Sequence, residues 1–109
     1  MIEVILGSKN AEKVLLYIYT RGEGYAREIA RFYETDLLPV QKQLDKLEAG
    51  GVLVSRELGK TRPYAFNPRY PFLNELKALL VKAFSFFPQD EQDKLMMNRR
   101  RPGARGKAL

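Results

Sequence analysis

The sequence contains no cysteine and no histidine. The absence of cysteine excludes disulfide bonds and thiol nucleophiles, and the absence of both residues excludes zinc fingers and the usual imidazole general base. Only carboxylates and amines remain for acid–base chemistry. The sequence also has no glycine-rich phosphate loop and no close cluster of carboxylates. We therefore expect no enzymatic activity, no metal site and no cofactor.

Long hydrophobic runs are also missing. No segment approaches the roughly 18 consecutive apolar residues that a membrane span needs. Residues 1–7 do not place a basic segment ahead of a long apolar run, as a secretion signal would. The sequence thus predicts no membrane partner and a cytoplasmic location. Its 109 residues, 45% of them apolar, suffice for one domain with a single core.

Positive charge is unevenly distributed along the chain. The formal net charge is +6, which favours an anionic partner. Five of the nineteen Lys and Arg residues lie in the last twelve positions, which contain no acid, so residues 1–97 hold fourteen basic and thirteen acidic residues. The acidic residues nearly balance the basic ones in residues 1–97, so net charge alone does not indicate nucleic-acid binding there. The positions of the basic residues must indicate it.

Hydrophobic periodicity predicts mostly helical structure. Ser8 or Asn10 can cap a first helix that runs to about Thr20, and this helix is apolar on more than one face. Pro39 suits the first position of the third helix, which ends at the glycine pair 50–51. Besides the first, the predicted helices span residues 25–33, 39–49 and 72–87.

A β-hairpin is predicted between the third and fourth helices. Its strands span residues 52–58 and 61–66, joined by a two-residue turn at Gly59 and Lys60. Pro63 cannot donate a ladder hydrogen bond, so the second strand is expected to be an edge strand. Residues 2–6 are expected to form a short apolar lead-in. Residues 1–88 would form one domain, followed in 89–109 by a polar segment and a basic disordered tail.

The order of these elements indicates a winged helix-turn-helix, mostly α with a small β-hairpin and with an extra C-terminal helix. In that fold the third helix enters the major groove of DNA and the hairpin contacts the phosphates beside it. The polar side of the third helix lies opposite the stripe of Val40, Leu44 and Leu47. The predicted DNA-binding residues are Arg27, Pro39, Gln41, Lys42, Gln43, Lys46, Arg56, Lys60 and Arg62.

These residue types suit two kinds of DNA contact. Glutamine can pair with adenine through two hydrogen bonds, and lysine can reach guanine or a backbone oxygen. Asp45 suits a polyanion only where it accepts a hydrogen bond from cytosine. Arg56, Lys60 and Arg62 surround the hairpin turn and would orient the domain on phosphates without reading sequence.

Four segments of the chain resemble ArsR/MarR-type winged-helix transcriptional regulators. Those regulators show a Leu-Phe-Gly-Ser lead-in, an R-E-I-A second helix, an L-x-x-L-E-x-x-G-L end to the recognition helix and a Tyr-x-x-Asn-Pro exit from the wing. The most specific match is Leu44-Asp45-Lys46-Leu47-Glu48-Ala49-Gly50-Gly51-Val52-Leu53. The four matching segments are residues 6–10, 26–31, 39–53 and 62–68.

The resemblance implies a homodimeric regulator, a repressor, that binds specific double-stranded DNA. Its outer helices would pair the two chains, with the helix at about 72–87 as the dimerisation helix. Surplus apolar surface on that helix also favours self-association. Metal-responsive release is not supported, because Cys and His ligands are missing, and the effector is left unassigned. The predicted dimer residues are Leu16, Leu73, Leu76, Leu80, Phe84 and Phe87.

Other interpretations of the same residues remain open. The lysines on the third helix can be ordinary solvated residues, and the hairpin bases can protect an exposed hairpin from aggregation. The C-terminal apolar helix can belong to the core of a single chain. A winged helix that contacts a protein or RNA is the alternative function, and the near-neutral charge of residues 1–97 favours it.

Overall fold

The computed structural model describes residues 1–97 and shows a mostly helical domain with one β-hairpin. The predicted basic tail, residues 98–109, lies outside the described residues. No helix within residues 1–97 has both the length and the apolar character to cross a membrane. The elements are α1 (Glu3–Leu6), α2 (Lys9–Arg21), α3 (Ala26–Phe32), α4 (Leu37–Ala49), β1 (Leu53–Ser55), β2 (Tyr64–Phe66), α5 (Leu73–Ser85) and α6 (Gln89–Met97).

Helix α2 is the centre of the core. Five consecutive apolar residues, from Val14 to Ile18, are buried, so the helix is covered on several sides as its sequence predicts. It contacts α1, α4, α5, α6 and β2. The predicted cap is confirmed, because Ser8 Oγ accepts a hydrogen bond from the Ala11 amide at 3.0 Å.

Two helix boundaries differ from the sequence prediction. Residues 3–6, expected only as part of a short apolar lead-in, form the short helix α1, which packs on α2. Helix α4 begins at Leu37 with Asp36 as its N-cap, two residues before the predicted start at Pro39. Proline fits there because amides in the first helical turn have no acceptor within the helix. The earlier start adds Leu37 and Leu38 to the helix.

The two strands of the hairpin are shorter than predicted. Strands β1 and β2 are antiparallel, and the pairing ends with Ser55 opposite Tyr64. Pro63 has no amide hydrogen, so it cannot donate the next hydrogen bond of the ladder to β1. Beyond that gap, Leu58 and Thr61 exchange two backbone hydrogen bonds and close the predicted two-residue turn.

Strand β2 lies at the edge of a two-stranded sheet, as Pro63 predicts, but one of its residues has a partner on the far side. Tyr64 and Gly24 exchange backbone hydrogen bonds of 2.8 and 2.9 Å, which form an isolated bridge on the far side of β2. The edge-strand prediction is therefore confirmed for β2 as a whole, with Tyr64 as the exception, because its amide and carbonyl pair with Gly24. The turn between α2 and α3 is thereby tied to the hairpin.

Helix α6 packs on the core, although the predicted domain ended at residue 88. Leu95 is buried against α2. Arg21 fixes the end of α6, since its Nε donates to the Leu95 carbonyl at 2.6 Å and its Nη2 to the Lys94 carbonyl at 3.0 Å. Residues 89–97 therefore form part of the same packed unit as residues 1–88.

Candidate nucleic-acid interface

One side of α4 is open to solvent along its whole length. Val40 and Leu44 are buried against the rest of the domain. The helical repeat of 3.6 residues aligns Leu38, Lys42 and Asp45 on the opposite side, followed by Ala49, and all of these are exposed. Lys46 is exposed next to this stripe. The chain itself therefore leaves uncovered the side of the helix that the sequence analysis assigned to DNA.

A groove of about 450 Å³ runs between α4, the start of α3 and the hairpin. Arg27 enters it from α3, Gln41 from α4, and Lys60 and Arg62 from the hairpin. Four of the predicted DNA-binding residues, distant in sequence, thus line one surface. Asp45 also lines the groove and places one acidic group among the basic ones.

A small hydrogen-bond cluster joins α4 to the hairpin. Gln41 Nε2 donates to Asp45 Oδ1 at 2.9 Å and to the Tyr64 hydroxyl oxygen at 3.1 Å. The Tyr64 hydroxyl in turn donates to Asp45 Oδ1 at 3.4 Å. Burial raises the pKa of Tyr64, and the nearby Asp45 carboxylate adds to the increase, while the bond from Gln41 opposes it. The phenol stays protonated at neutral pH and links the two elements.

The hairpin arginines are paired with acids of the same chain. Arg56 Nη1 lies 3.3 Å from Glu23 Oε1, and Arg62 Nη2 lies 3.2 Å from Glu57 Oε2. Arg62 Nη1 also donates to Ser55 Oγ at 3.1 Å. Exposed pairs of this kind contribute about 0–1 kcal/mol, so both arginines can exchange their carboxylates for another anion at small cost.

Lys60 occupies the tip of the hairpin. It follows Gly59, whose φ of +63° suits glycine at the first central position of a tight two-residue turn. Lys60 is exposed and lines the groove. The turn therefore holds a positive charge at the point of the hairpin that projects furthest from its strands.

The remaining predicted residues on α4 lie outside the groove. Pro39 and Gln43 are half-buried on the flank of the helix away from the hairpin. Lys42 is exposed on the open side, between the two flanks. The structure thus brings Arg27, Gln41, Lys60 and Arg62 together and leaves Pro39 and Gln43 apart.

Two features of this surface were not predicted from the sequence. Leu37 lines the groove and Leu38 opens the exposed stripe, but both precede the predicted start of the helix. An apolar pair directly after the capping residue Asp36 was the available signal. Tyr64 was not among the predicted site residues, since no local pattern shows that its hydroxyl reaches Gln41.

The predicted dimer residues divide into two groups. Leu16 and Leu80 are 1% and 0% exposed, packed in the core of the single chain, so we remove them from the dimer surface. Leu76, Phe84 and Phe87 are half-buried and pack along the edge of that core. Leu73 is also half-buried, at the start of α5. Larger apolar exposure lies at α1 and around α5, on Val4, Ile5, Phe72, Val81 and Phe86.

Within residues 1–97, no three acidic side chains lie close enough to hold a metal ion. No protein-family model matches the sequence, and no curated protein matches it. Among solved structures, the chain is similar to a double mutant of Lactococcus lactis ZitR in its apo form, with a TM-score of 0.54 and 16% identity. The match covers 84% of this chain and 77% of that chain. With the order of its elements, this similarity gives the chain a winged helix-turn-helix fold.

Proposed function

We propose that this chain is a cytoplasmic, sequence-specific regulator of transcription that binds double-stranded DNA as a homodimer and belongs to the ArsR/MarR type. One observation carries the proposal, namely the exposed side of α4 beside a groove lined by Arg27, Lys60 and Arg62. A helix of this kind fits the major groove, about 12 Å wide, while a neighbouring hairpin reaches the flanking phosphates. We call α4 the recognition helix.

The recognition helix would read bases through Lys42 and Gln41. Lys42 is exposed at the centre of the open side and can donate to guanine. Gln41 already donates to Asp45 and Tyr64, so pairing with adenine requires it to exchange these hydrogen bonds. Asp45 accepts hydrogen bonds and matches the amino group of cytosine.

Phosphate contacts would come from Arg27 and the hairpin. Arg27 is exposed at the start of α3, and Lys60 and Arg62 face the same groove from the other side. Such contacts set the position and orientation of a domain on the duplex without selecting its sequence. Base and phosphate contacts should therefore respond differently when single residues are changed.

The dimer we propose uses apolar side chains that the single chain leaves exposed. Val81 and Phe86 are 47% and 64% exposed around α5, and Val4 in α1 is 91% exposed. Large exposed apolar side chains that are brought together mark interaction sites, so these residues are the ones we assign to the dimer surface. A two-fold dimer would present two recognition helices to half-sites about 34–36 Å apart, one turn of the duplex. Occupying such a site would block transcription, which corresponds to repression.

Selection of bound duplexes from a random pool tests the function directly. We expect enrichment of a near-palindromic site with two half-sites one helical turn apart. Lys42→Ala or Gln41→Ala should weaken binding to the enriched duplex by about 1–3 kcal/mol, with less effect on random duplexes. Lys60→Ala should weaken binding to both equally, and Lys94→Ala, at an exposed lysine of α6 outside the groove, is the matched control. Equal effects of Lys42→Ala and Lys60→Ala on both duplexes would contradict the assigned roles.

Self-association requires its own measurement. Val81→Asp and Phe86→Asp place a charge on the proposed dimer surface and should raise the dimer dissociation constant in sedimentation equilibrium. Leu58→Asp, on the hairpin, provides an exposed apolar residue outside that surface as a control. A wild-type chain that sediments as a monomer at every concentration would refute the dimer, and a footprint covering one half-site would do the same.

Contact with RNA or a protein is the second candidate function. The ion pairs Arg56–Glu23 and Arg62–Glu57, together with Asp45 in the groove, reduce the positive charge available to a duplex. A parallel selection from a random RNA pool separates the candidates. Enrichment of RNA without enrichment of duplex DNA would favour this second function.

A further inference from the structure

The first turn of the recognition helix is apolar and uncovered. Leu38 is 64% exposed and Leu37 is 36% exposed, and Pro39 completes a run of three apolar residues. The N-cap residue Asp36 makes no side-chain hydrogen bond to the first turn. Apolar side chains form no hydrogen bonds with water, so burying this turn against an apolar group of a partner is favourable.

This turn is continuous with the proposed DNA surface. Leu38 lies one helical turn before Lys42 and two turns before Asp45, on the same exposed stripe. Leu37 lines the groove that also contains Arg27 and Lys60. A partner that contacts the charged residues of the stripe therefore also reaches the apolar turn.

We propose that Leu38 is a specificity-determining residue that contacts the 5-methyl group of thymine in the major groove. This inference rests on the proposed DNA-binding function. The N-terminal residues of a recognition helix contact base edges, and in the major groove thymine is the base whose edge carries a methyl group. Leucine cannot donate or accept a hydrogen bond, so thymine is the base that its side chain distinguishes.

Pro39 strengthens this assignment. Helix N-termini often bind phosphate because their first amides are free to donate. Here the third residue of the helix is proline and lacks an amide hydrogen, so the turn offers one donor fewer to an anion. The turn is thus better suited to the apolar part of a base edge than to the phosphate backbone.

The experiment uses the full chain and the duplex enriched from the random pool. Each thymine is replaced in turn by deoxyuridine, which removes the methyl group and keeps the base pair. We expect the wild-type protein to lose about fourfold in affinity at one or two positions per half-site, the factor that corresponds to burying one methyl-sized group. With Leu38→Ala, the ratio of affinities for the thymine and deoxyuridine duplexes should fall to about one at those positions.

Two variants serve as controls. Lys60→Ala should lower affinity for both duplexes by the same factor and leave their ratio unchanged. Leu58→Ala makes the same truncation at a 50% exposed leucine on the hairpin and should also keep the ratio. Thermal unfolding of Leu38→Ala should match the wild type, because the side chain is largely exposed.

The outcomes separate this inference from the proposed function. If the enriched duplex binds but no thymine is sensitive to loss of its methyl group, Leu38 does not read thymine and DNA binding still stands. The same conclusion follows if Leu38→Ala keeps the wild-type ratio, or if it alters only the dimer dissociation constant. Failure to enrich any duplex would overturn both the proposed function and this inference.

Discussion

Replacing Gly24 with alanine should destabilise the domain at the point where the α2–α3 turn meets the hairpin. Gly24 is buried and pairs with Tyr64 through two backbone hydrogen bonds. A Cβ atom at this position would lie 3.0 Å from Tyr17 Cδ1 and 3.1 Å from Ile29 Cδ1. Both distances are shorter than ordinary carbon–carbon contacts, so a neighbour must move.

The neighbours have little freedom to move. Tyr17 and Ile29 are both buried. The Tyr17 hydroxyl accepts a hydrogen bond from Arg21 Nη1 at 2.9 Å, and its ring packs edge-on against Phe32. Inserting an extra carbon into such a core costs about 1–3 kcal/mol. At about 4–8 °C per kcal/mol for a domain of this size, the melting temperature should fall by about 4–24 °C.

Thermal unfolding followed by circular dichroism measures this change, with Gly50→Ala as the matched control. Gly50 has a φ of −84°, and its Cβ would lie 3.5 Å from the Lys46 carbonyl oxygen, an ordinary contact. Gly50→Ala should be neutral or stabilise by up to about 1 kcal/mol, because alanine restricts the unfolded chain. Ile29→Val removes Ile29 Cδ1, one of the crowded atoms, so it should lower stability less in the Gly24→Ala protein than in the wild type. A Gly24→Ala protein that melts at or above the wild-type temperature would refute the packing argument.

Three further predictions concern polar groups in the core and at its edge. Burial raises the pKa of Tyr17 and Tyr33 well above the ordinary value of 10.0, so ionisation opposes folding; stability should hold below about pH 10 and fall as the pH rises above it. A phenolate absorbance titration checks this, and ionisation of every tyrosine near pH 10 in the folded protein would contradict it. Tyr64→Phe removes one acceptor from Gln41 and should cost about 0.5–1.5 kcal/mol in denaturant unfolding; an unchanged midpoint would count against the link. Arg21→Lys should speed proteolysis within α6 while leaving the core intact, because lysine lacks the forked guanidinium.

The strongest local signals in the sequence predicted their elements correctly. The repeat of Val40, Leu44 and Leu47 correctly predicts the buried side of α4, since burial on one side of a helix requires this spacing. Ser8 is a cap, and the turn at Gly59 closes the hairpin. These features depend on contacts within a few residues, which a sequence shows directly.

The remaining features depend on contacts between distant segments. Gly24 pairs with Tyr64 across forty residues, and no local pattern indicates that this pairing covers β2. Leu16 and Leu80 belong to the core because α2 and α5 pack together, whereas their sequence pattern also fits a dimer surface. The predicted start of α4 at Pro39 is two residues too late, because proline is tolerated at every position of the first helical turn and therefore does not mark the first one.

The acids beside the hairpin arginines affect how binding to DNA would depend on salt. A lysine or arginine that neutralises a phosphate releases condensed cations, and each such contact makes the slope of log affinity against log salt more negative by about 0.9. If Arg56 and Arg62 contacted phosphates, Glu23 and Glu57 would lose their partners and would attract cations from solution. The two carboxylates would thus bind again some of the cations that the DNA releases. The measured slope would include the full cation release by Lys60 but only part of the release by the two arginines. The number of phosphates that the hairpin contacts, calculated from that slope, would therefore be too low.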